Sequence, residues 1–133
     1  MRRFPEGTRT AEDAARAVGC HVGQIVKSLV FTLDGRPVVL LVSGANRVDP
    51  ARFDGRLAKA DADLARAATG YSIGGVPPFG HESPVPVYMD RDLERYDVVW
   101  AAAGRPDSVF PIAPAELQRL SAATVLDLKE SRA

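Results

Sequence analysis

The sequence is poor in the residues from which most catalytic and metal centres are built. Its 133 residues include one cysteine and two histidines. A lone thiol, Cys20, excludes an intrachain disulfide, and nothing else points to a bridge-stapled secreted scaffold, so a reducing, cytoplasmic location is expected. A buried structural role for Cys20 outweighs a catalytic one. His21 and His81 are far apart and Cys20 beside His21 is an isolated pair, which matches no zinc spacing. Neither a metal nor another cofactor is expected. No apolar run approaches the roughly 18 residues that span a bilayer, and Arg2-Arg3 have no apolar stretch behind them, so neither a membrane partner nor a signal peptide is expected. Charge of one sign is not in surplus either. Its 17 basic residues meet 17 acidic ones, spread evenly along the chain, which argues against broad coverage of duplex nucleic acid and against a polybasic membrane surface. Walker-type phosphate loops, dinucleotide fingerprints and nucleophile elbows are absent.

The chain does have enough apolar content, 46% of residues, for the core of one domain, taken as residues 1–133 with 1–9 as a flexible lead-in. Thr10 ahead of Glu12-Asp13 reads as a helix cap and Gly19 as the stop. Ile25 to Leu33 and Pro37 to Val42 flank Asp34-Gly35, the pattern of a hairpin. Its second strand is apolar on both faces and belongs in the middle of a covered sheet. Asp49-Pro50 opens a helix that Gly55 limits to little more than a turn. Leu57 to Ala60 reads as a short strand, and Asp61 caps a helix through Ala68 that Gly70 ends. Further strands are expected at Pro84 to Met89, Val98 to Ala102 and Ser108 to Ile112, then a helix from Pro114 to Ser121 and a strand from Thr124 to Leu128. These elements do not alternate as regular βαβ units. The expected fold is therefore mixed α/β: a single domain with a curved mixed β-sheet and short flanking helices.

Several residues stand out against this background. Gly74 and Gly75 free the backbone to expose successive N–H groups while Pro77 and Pro78 stiffen the next part of the loop, which suits an oxyanion-binding concavity or an ordinary tight crossover loop. Lys27 sets a cation in the apolar run Ile25 to Phe31, as a snorkelling edge residue or as a fixed charge at a pocket mouth. Asn46-Arg47 after Val42-Ser43-Gly44-Ala45 is a polar loop at a strand end, able to hold a ligand or merely to turn the chain. His81 fits a pocket rim and a turn-stabilising bond equally.

Four segments in order, Ile25-Val26-Lys27-Ser28-Leu29-Val30-Phe31, Val42-Ser43-Gly44-Ala45-Asn46-Arg47-Val48-Asp49, Thr69-Gly70-Tyr71-Ser72-Ile73-Gly74-Gly75-Val76-Pro77-Pro78-Phe79-Gly80 and Val99-Trp100-Ala101-Ala102-Ala103-Gly104, resemble the YbaK/EbsC family. These proteins are relatives of the editing (INS) domain of bacterial prolyl-tRNA synthetase, and the resemblance runs from about Thr10 to Leu128. It implies trans-editing: hydrolysis of the ester between a wrong, small amino acid and tRNA for proline or a related tRNA. It further implies that Lys27 holds the terminal nucleotide and that the Gly74-x-x-x-Pro78 loop contacts the ester through Gly74, Gly75 and Val76. The resemblance also implies that water is guided by a hydroxyl of the terminal ribose or of the substrate side chain rather than by a protein nucleophile. Ser28, Ser43, Gly44, Asn46, Arg47, Pro77, Pro78, Phe79, His81, Ala102, Ala103 and Gly104 are the implied substrate-binding positions. Ser28 ranks below Lys27, because a regular strand turns it to the opposite face.

The implied partners are the acceptor end of an aminoacyl-tRNA and prolyl-tRNA synthetase, with the protein a monomer or homodimer. Three departures from the family pattern bear on the pocket. Relatives often carry a further N-terminal helix, Pro77 stands where a serine is frequent, and Ala101 to Ala103 occupy a strand where some relatives place a polar selector. The alternative reading is a non-catalytic module of the same fold that binds an acceptor end, a nucleotide or a protein.

Overall fold

The computed structural model describes residues 2–3, 10–71, 76–81, 85–102 and 108–130. Its organising element is the hairpin of β2 (Ile25–Leu33) and β3 (Arg36–Ser43), paired antiparallel from Val26↔Ser43 to Leu33↔Arg36. Asp34 and Gly35 both have positive φ, 52° and 83°, as the tight two-residue turn that matches the twist of the strands requires. Around the hairpin lie α1 (Ala11–Val18), β4 (Leu57–Lys59), α2 (Ala62–Thr69), β5 (Val87–Asp90), β6 (Val99–Ala102), β7 (Ser108–Ile112), α3 (Pro114–Ser121) and β8 (Thr124–Leu126). The helices begin and end where their caps dictate. Thr10 Oγ1 accepts the Asp13 N–H and Asp61 Oδ1 the Leu64 N–H, while Gly19 and Gly70 close α1 and α2 in the left-handed conformation.

The sheet is mixed. Its order is β1-β7-β6-β2-β3-β5-β8, where β1 is Arg2–Arg3, and β4 pairs with β2 off this path. β2 runs parallel to β6, and β3 parallel to β5, while the β2–β3, β2–β4 and β6–β7 pairs are antiparallel. β3 lies at the centre, with Val38 to Val42 no more than 2% exposed, and its unbroken apolar run serves both faces. On one face Val26, Val39, Leu41, Met89, Val99 and Ala101 pack under Leu117 of α3. On the other, Phe31, Val38, Leu40, Val42, Leu57 and Leu128 form a second cluster, and Ile25 packs against Ala14 and Ala15 of α1.

Three features depart from the sequence reading. Arg2–Arg3, expected within a flexible lead-in, pair with Ser108 and Val109 as an edge strand. Short 3₁₀ turns at Val22–Gln24 and Arg91–Arg95 were not anticipated, because neither carries an apolar period. Of the strand expected from Pro84 to Met89, Pro84 lies outside the described residues and the strand observed is Val87–Asp90, while that expected to reach Leu128 ends at Leu126.

Candidate functional site

The register of the sheet opens a gap beside β2. One edge of this strand is fully taken by β3. The other is shared by β6, opposite Ile25 and Val26, and β4, opposite Phe31 to Leu33. Between them no described strand covers Lys27 to Val30, apart from the Ala60 N–H, which donates to the Val30 carbonyl at 3.2 Å. The tight hairpin turns the backbone groups of odd-numbered β2 residues toward β3 and those of even-numbered ones outward, as the bond from the Gly44 N–H to the Ile25 carbonyl shows. The backbone of Ser28 therefore faces the gap. A cleft of about 480 Å³ occupies this opening, lined by Lys27, Ser28, Lys59, Val76, Trp100 and Ala102 together with apolar residues of α1 and β2. That volume suits a small ligand, and the largely apolar lining with a few polar groups is typical of such sites.

Alternation along β2 and the pairing of Ile25 with Trp100 place Lys27, Trp100 and Ala102 on one face of the sheet. The Lys27 ammonium donates to the Asn46 carbonyl oxygen at 2.6 Å. That bond uses one of its three protons and leaves two for a ligand. Burial depresses the Lys27 pKa, and nearby Arg47 adds to this, against the opposing pull of Glu12 and Asp90.

Asn46 is itself clamped. Its side-chain amide donates to Asp90 Oδ2 at 2.8 Å and to Asp92 Oδ2 at 2.9 Å. Asp90 is fully buried and also accepts the N–H groups of Ser43 and Asp92. Lys129 Nζ donates to Asp92 Oδ2 at 2.6 Å. Burial pushes the Asp92 pKa up, but hydrogen bonds from Lys129 and Asn46 outweigh it and hold the carboxyl below its usual range. The chain Asp90–Asn46–Lys27 thus ties a buried carboxylate to the ammonium in the cleft.

Of the residues singled out from the sequence, Lys27, Ser28, Val76 and Ala102 meet at the cleft. Gly74, Gly75, Ala103 and Gly104 lie outside the described residues. The others are placed elsewhere. Ser43 Oγ donates to the Gly23 carbonyl, and Gly44 sits so close to Val22 that an added Cβ would strike its carbonyl oxygen. Both build the loop rather than line the cleft. The Asn46 side chain is consumed by Asp90 and Asp92, and Arg47 lies in a separate polar hollow with Asp92, Arg95 and Lys129. Pro77 and Pro78 are buried, and Phe79 packs edge-on against Phe110 with ring centroids 6.0 Å apart. His81 Nε2 lies 2.7 Å from the Pro77 carbonyl oxygen. A carbonyl can only accept, so the ring donates from Nε2 and holds the loop. Ser28 Oγ is buried with no hydrogen-bond partner among the described residues.

The sequence reading missed Asp90, Asp92, Lys129, Lys59 and Trp100 as members or supports of the site. The one available signal was Asp90-Arg91-Asp92, a capping pattern whose first acid sits at the end of an apolar strand. That Asp90 also reaches Ser43 and Asn46 depends on β3 and β5 being neighbours, which no local pattern reveals.

Similarity to known proteins runs through the same residues. The pattern of the family described as "Aminoacyl-tRNA editing domain" matches residues 5–120. The uncharacterised protein YwhH of Bacillus subtilis (strain 168) is 34% identical over 125 residues, covering 89% of this chain and 78% of that protein. A proline-tRNA ligase of Solidesulfovibrio magneticus is 36% identical over 93 residues, 65% of this chain but only 16% of the ligase. Among solved structures, a candidate trans-editing enzyme for prolyl-tRNA synthetase aligns with a TM-score of 0.92 at 48% identity, covering 98% of this chain and 85% of that one. The matched region takes in the gap strand, the Asn46 clamp and the proline loop together, and the chain belongs to the aminoacyl-tRNA editing domain family.

Proposed function

We propose that this chain is an aminoacyl-tRNA deacylase acting in trans, which hydrolyses the ester of a small amino acid mischarged onto tRNA for proline or a related tRNA. The observation that carries this reading is the cleft in the sheet gap, where a clamped ammonium stands in apolar surroundings with no histidine, cysteine or carboxylate among the described lining residues. An acyl ester is already activated. Its hydrolysis needs a held substrate, a placed water and donors for the developing oxyanion more than a strong protein base. Lys27 holds the ribose end of the terminal nucleotide, and the N–H groups of Gly75 and Val76 meet the ester oxygen, since Pro77 and Pro78 have none to give. A substrate hydroxyl guides the water. The largely apolar lining, Ala11, Ala14 and Ala102 included, suits an uncharged aminoacyl group.

Incubating the purified protein with tRNAs charged with alanine, serine, threonine or cysteine tests this directly. Hydrolysis of at least one faster than its spontaneous loss is expected. Protection or no change would mark a binding module instead, and equal cleavage of simple amino-acid esters would mark a general esterase.

The reaction should also report the state of Lys27. If the ammonium is the working form, the enzyme-dependent rate falls as pH rises through its depressed pKa, so the alkaline limb of kcat/KM lies below the ordinary lysine range of about 10.4. A corrected rate that stays flat into that range would remove the charge from the mechanism.

A further inference from the structure

The cleft carries a second cation. Lys27 and Lys59 are the ionisable residues among the described residues lining it, which include no carboxylate. In a chain with 17 charges of each sign, the described lining of the cleft is basic, although Glu12 and Asp90 act on Lys27 from outside it. Elsewhere, several cations are paired with acids. Arg52 and Arg91 pair with Asp127, Arg95 and Lys129 with Asp92, and Arg119 with Glu116. Lys59 makes no salt bridge among the described residues, and it is exposed.

Its position is set by register. Lys59 is the last residue of β4 and stands opposite Phe31, so its side chain leaves the same face as Phe31, Leu29 and Lys27. Four residues of strand at about 3.3 Å each, plus one interstrand step of about 4.8 Å, set the two lysine Cα atoms roughly 14 Å apart across the gap. With the Lys27 ammonium held at the Asn46 carbonyl, this span has room for a ribose and its neighbouring phosphodiester. Trp100, half-buried on this same face, walls the cleft with a surface on which a base can stack.

Lys27 is already bonded to the Asn46 carbonyl and sits at the α1 end of the cleft. Lys59 marks the other end. We propose that Lys59 binds a phosphodiester of the single-stranded acceptor end, one step upstream of the nucleotide held at Lys27, so that the two lysines fix the direction in which the strand enters. The inference rests on the deacylase reading for the identity of the strand, but not for the contact itself. Phosphate contacts position a nucleic acid without reading its sequence, so the residue contributes affinity and register rather than amino-acid choice.

The test compares Lys59→Ala and Lys59→Arg with the unaltered protein on three probes: a mischarged tRNA, a 3′-O-aminoacyl-adenosine without phosphate, and an uncharged oligonucleotide ending in CCA. Lys59→Ala is expected to lower kcat/KM on the tRNA about five- to tenfold through KM, and to flatten its logarithmic salt dependence by about 0.7, the value of one single-strand phosphate contact. On the nucleoside ester, which lacks that phosphate, the change should stay below about twofold. Lys59→Arg restores the tRNA rate. Equal losses on tRNA and nucleoside ester, or none on either, would overturn the proposal. Binding of the CCA oligonucleotide separates the two ideas. If the protein hydrolyses nothing yet Lys59→Ala weakens oligonucleotide binding with the reduced salt slope, the phosphate contact stands and the deacylase reading falls. If the unaltered protein does not bind the oligonucleotide, or Lys59→Ala binds it unchanged, the contact is refuted.

Discussion

Lys27→Ala is expected to lower the single-turnover rate on a mischarged tRNA by about a hundredfold or more, comparable to removing one donor from an oxyanion site, while the protein keeps its thermal midpoint. The two halves of this expectation have separate causes. The ammonium is partly desolvated, and its one described hydrogen bond is to a carbonyl, so the folded state gains little from it. In the proposed complex it is the charge nearest the terminal ribose, in a largely apolar cleft where electrostatic contacts are strong. Lys27→Met, which fills the space without the charge, should fail as badly. Turnover close to that of the unaltered protein in either variant would remove Lys27 from the mechanism, and a large fall in midpoint would recast it as structural.

The largest stability effect should come from Asp90→Ala. Asp90 is fully buried and accepts from the Ser43 N–H, the Asn46 amide and the Asp92 N–H. Truncation removes the acceptor from three donors, the Ser43 N–H fully buried and the other two partly so. Each buried donor without a partner costs about 1–3 kcal/mol, so a loss of about 3 kcal/mol is expected, or roughly 10 °C in midpoint for a domain of this size. Editing should fall with it, because an unclamped Asn46 no longer presents its carbonyl to Lys27. Asp90→Asn retains one acceptor but turns an amide N–H toward donors, and should lie between the two. Denaturant midpoints, with kinetics measured well below each variant's transition, separate the effects: a folded Asp90→Ala protein at full activity would show that the clamp does not position Lys27.

Much of the fold was legible because it is written in local chemistry. Thr10 and Gly19 bound α1 where capping and left-handed glycine require, Asp34-Gly35 sets the hairpin, and Pro114 opens α3. The unbroken apolar run of β3 announced a strand covered on both faces. The edge strand Arg2–Arg3 was not legible, since two arginines have no strand pattern and pair only because β7 offers an edge. The site was legible only in part. Lys27 stood out as a cation in an apolar strand, yet Arg47 and the Asn46 side chain, one loop away in sequence, face a different hollow.

By itself the sequence determined most of the elements, the central hairpin and the presence of one misplaced lysine, because caps, turns and period-two burial act over a few residues. Its charge balance also argues against a broad basic surface, and the structure adds two lysines, with no acid among the described lining residues, along one cleft. The tertiary structure alone decided that β6 and β4 share an edge of β2 and leave the gap between them. It alone decided that Asp90 lies beneath Asn46. Both facts depend on which strands become neighbours across tens of residues, a choice made by the packing of whole faces rather than by any residue's own preference.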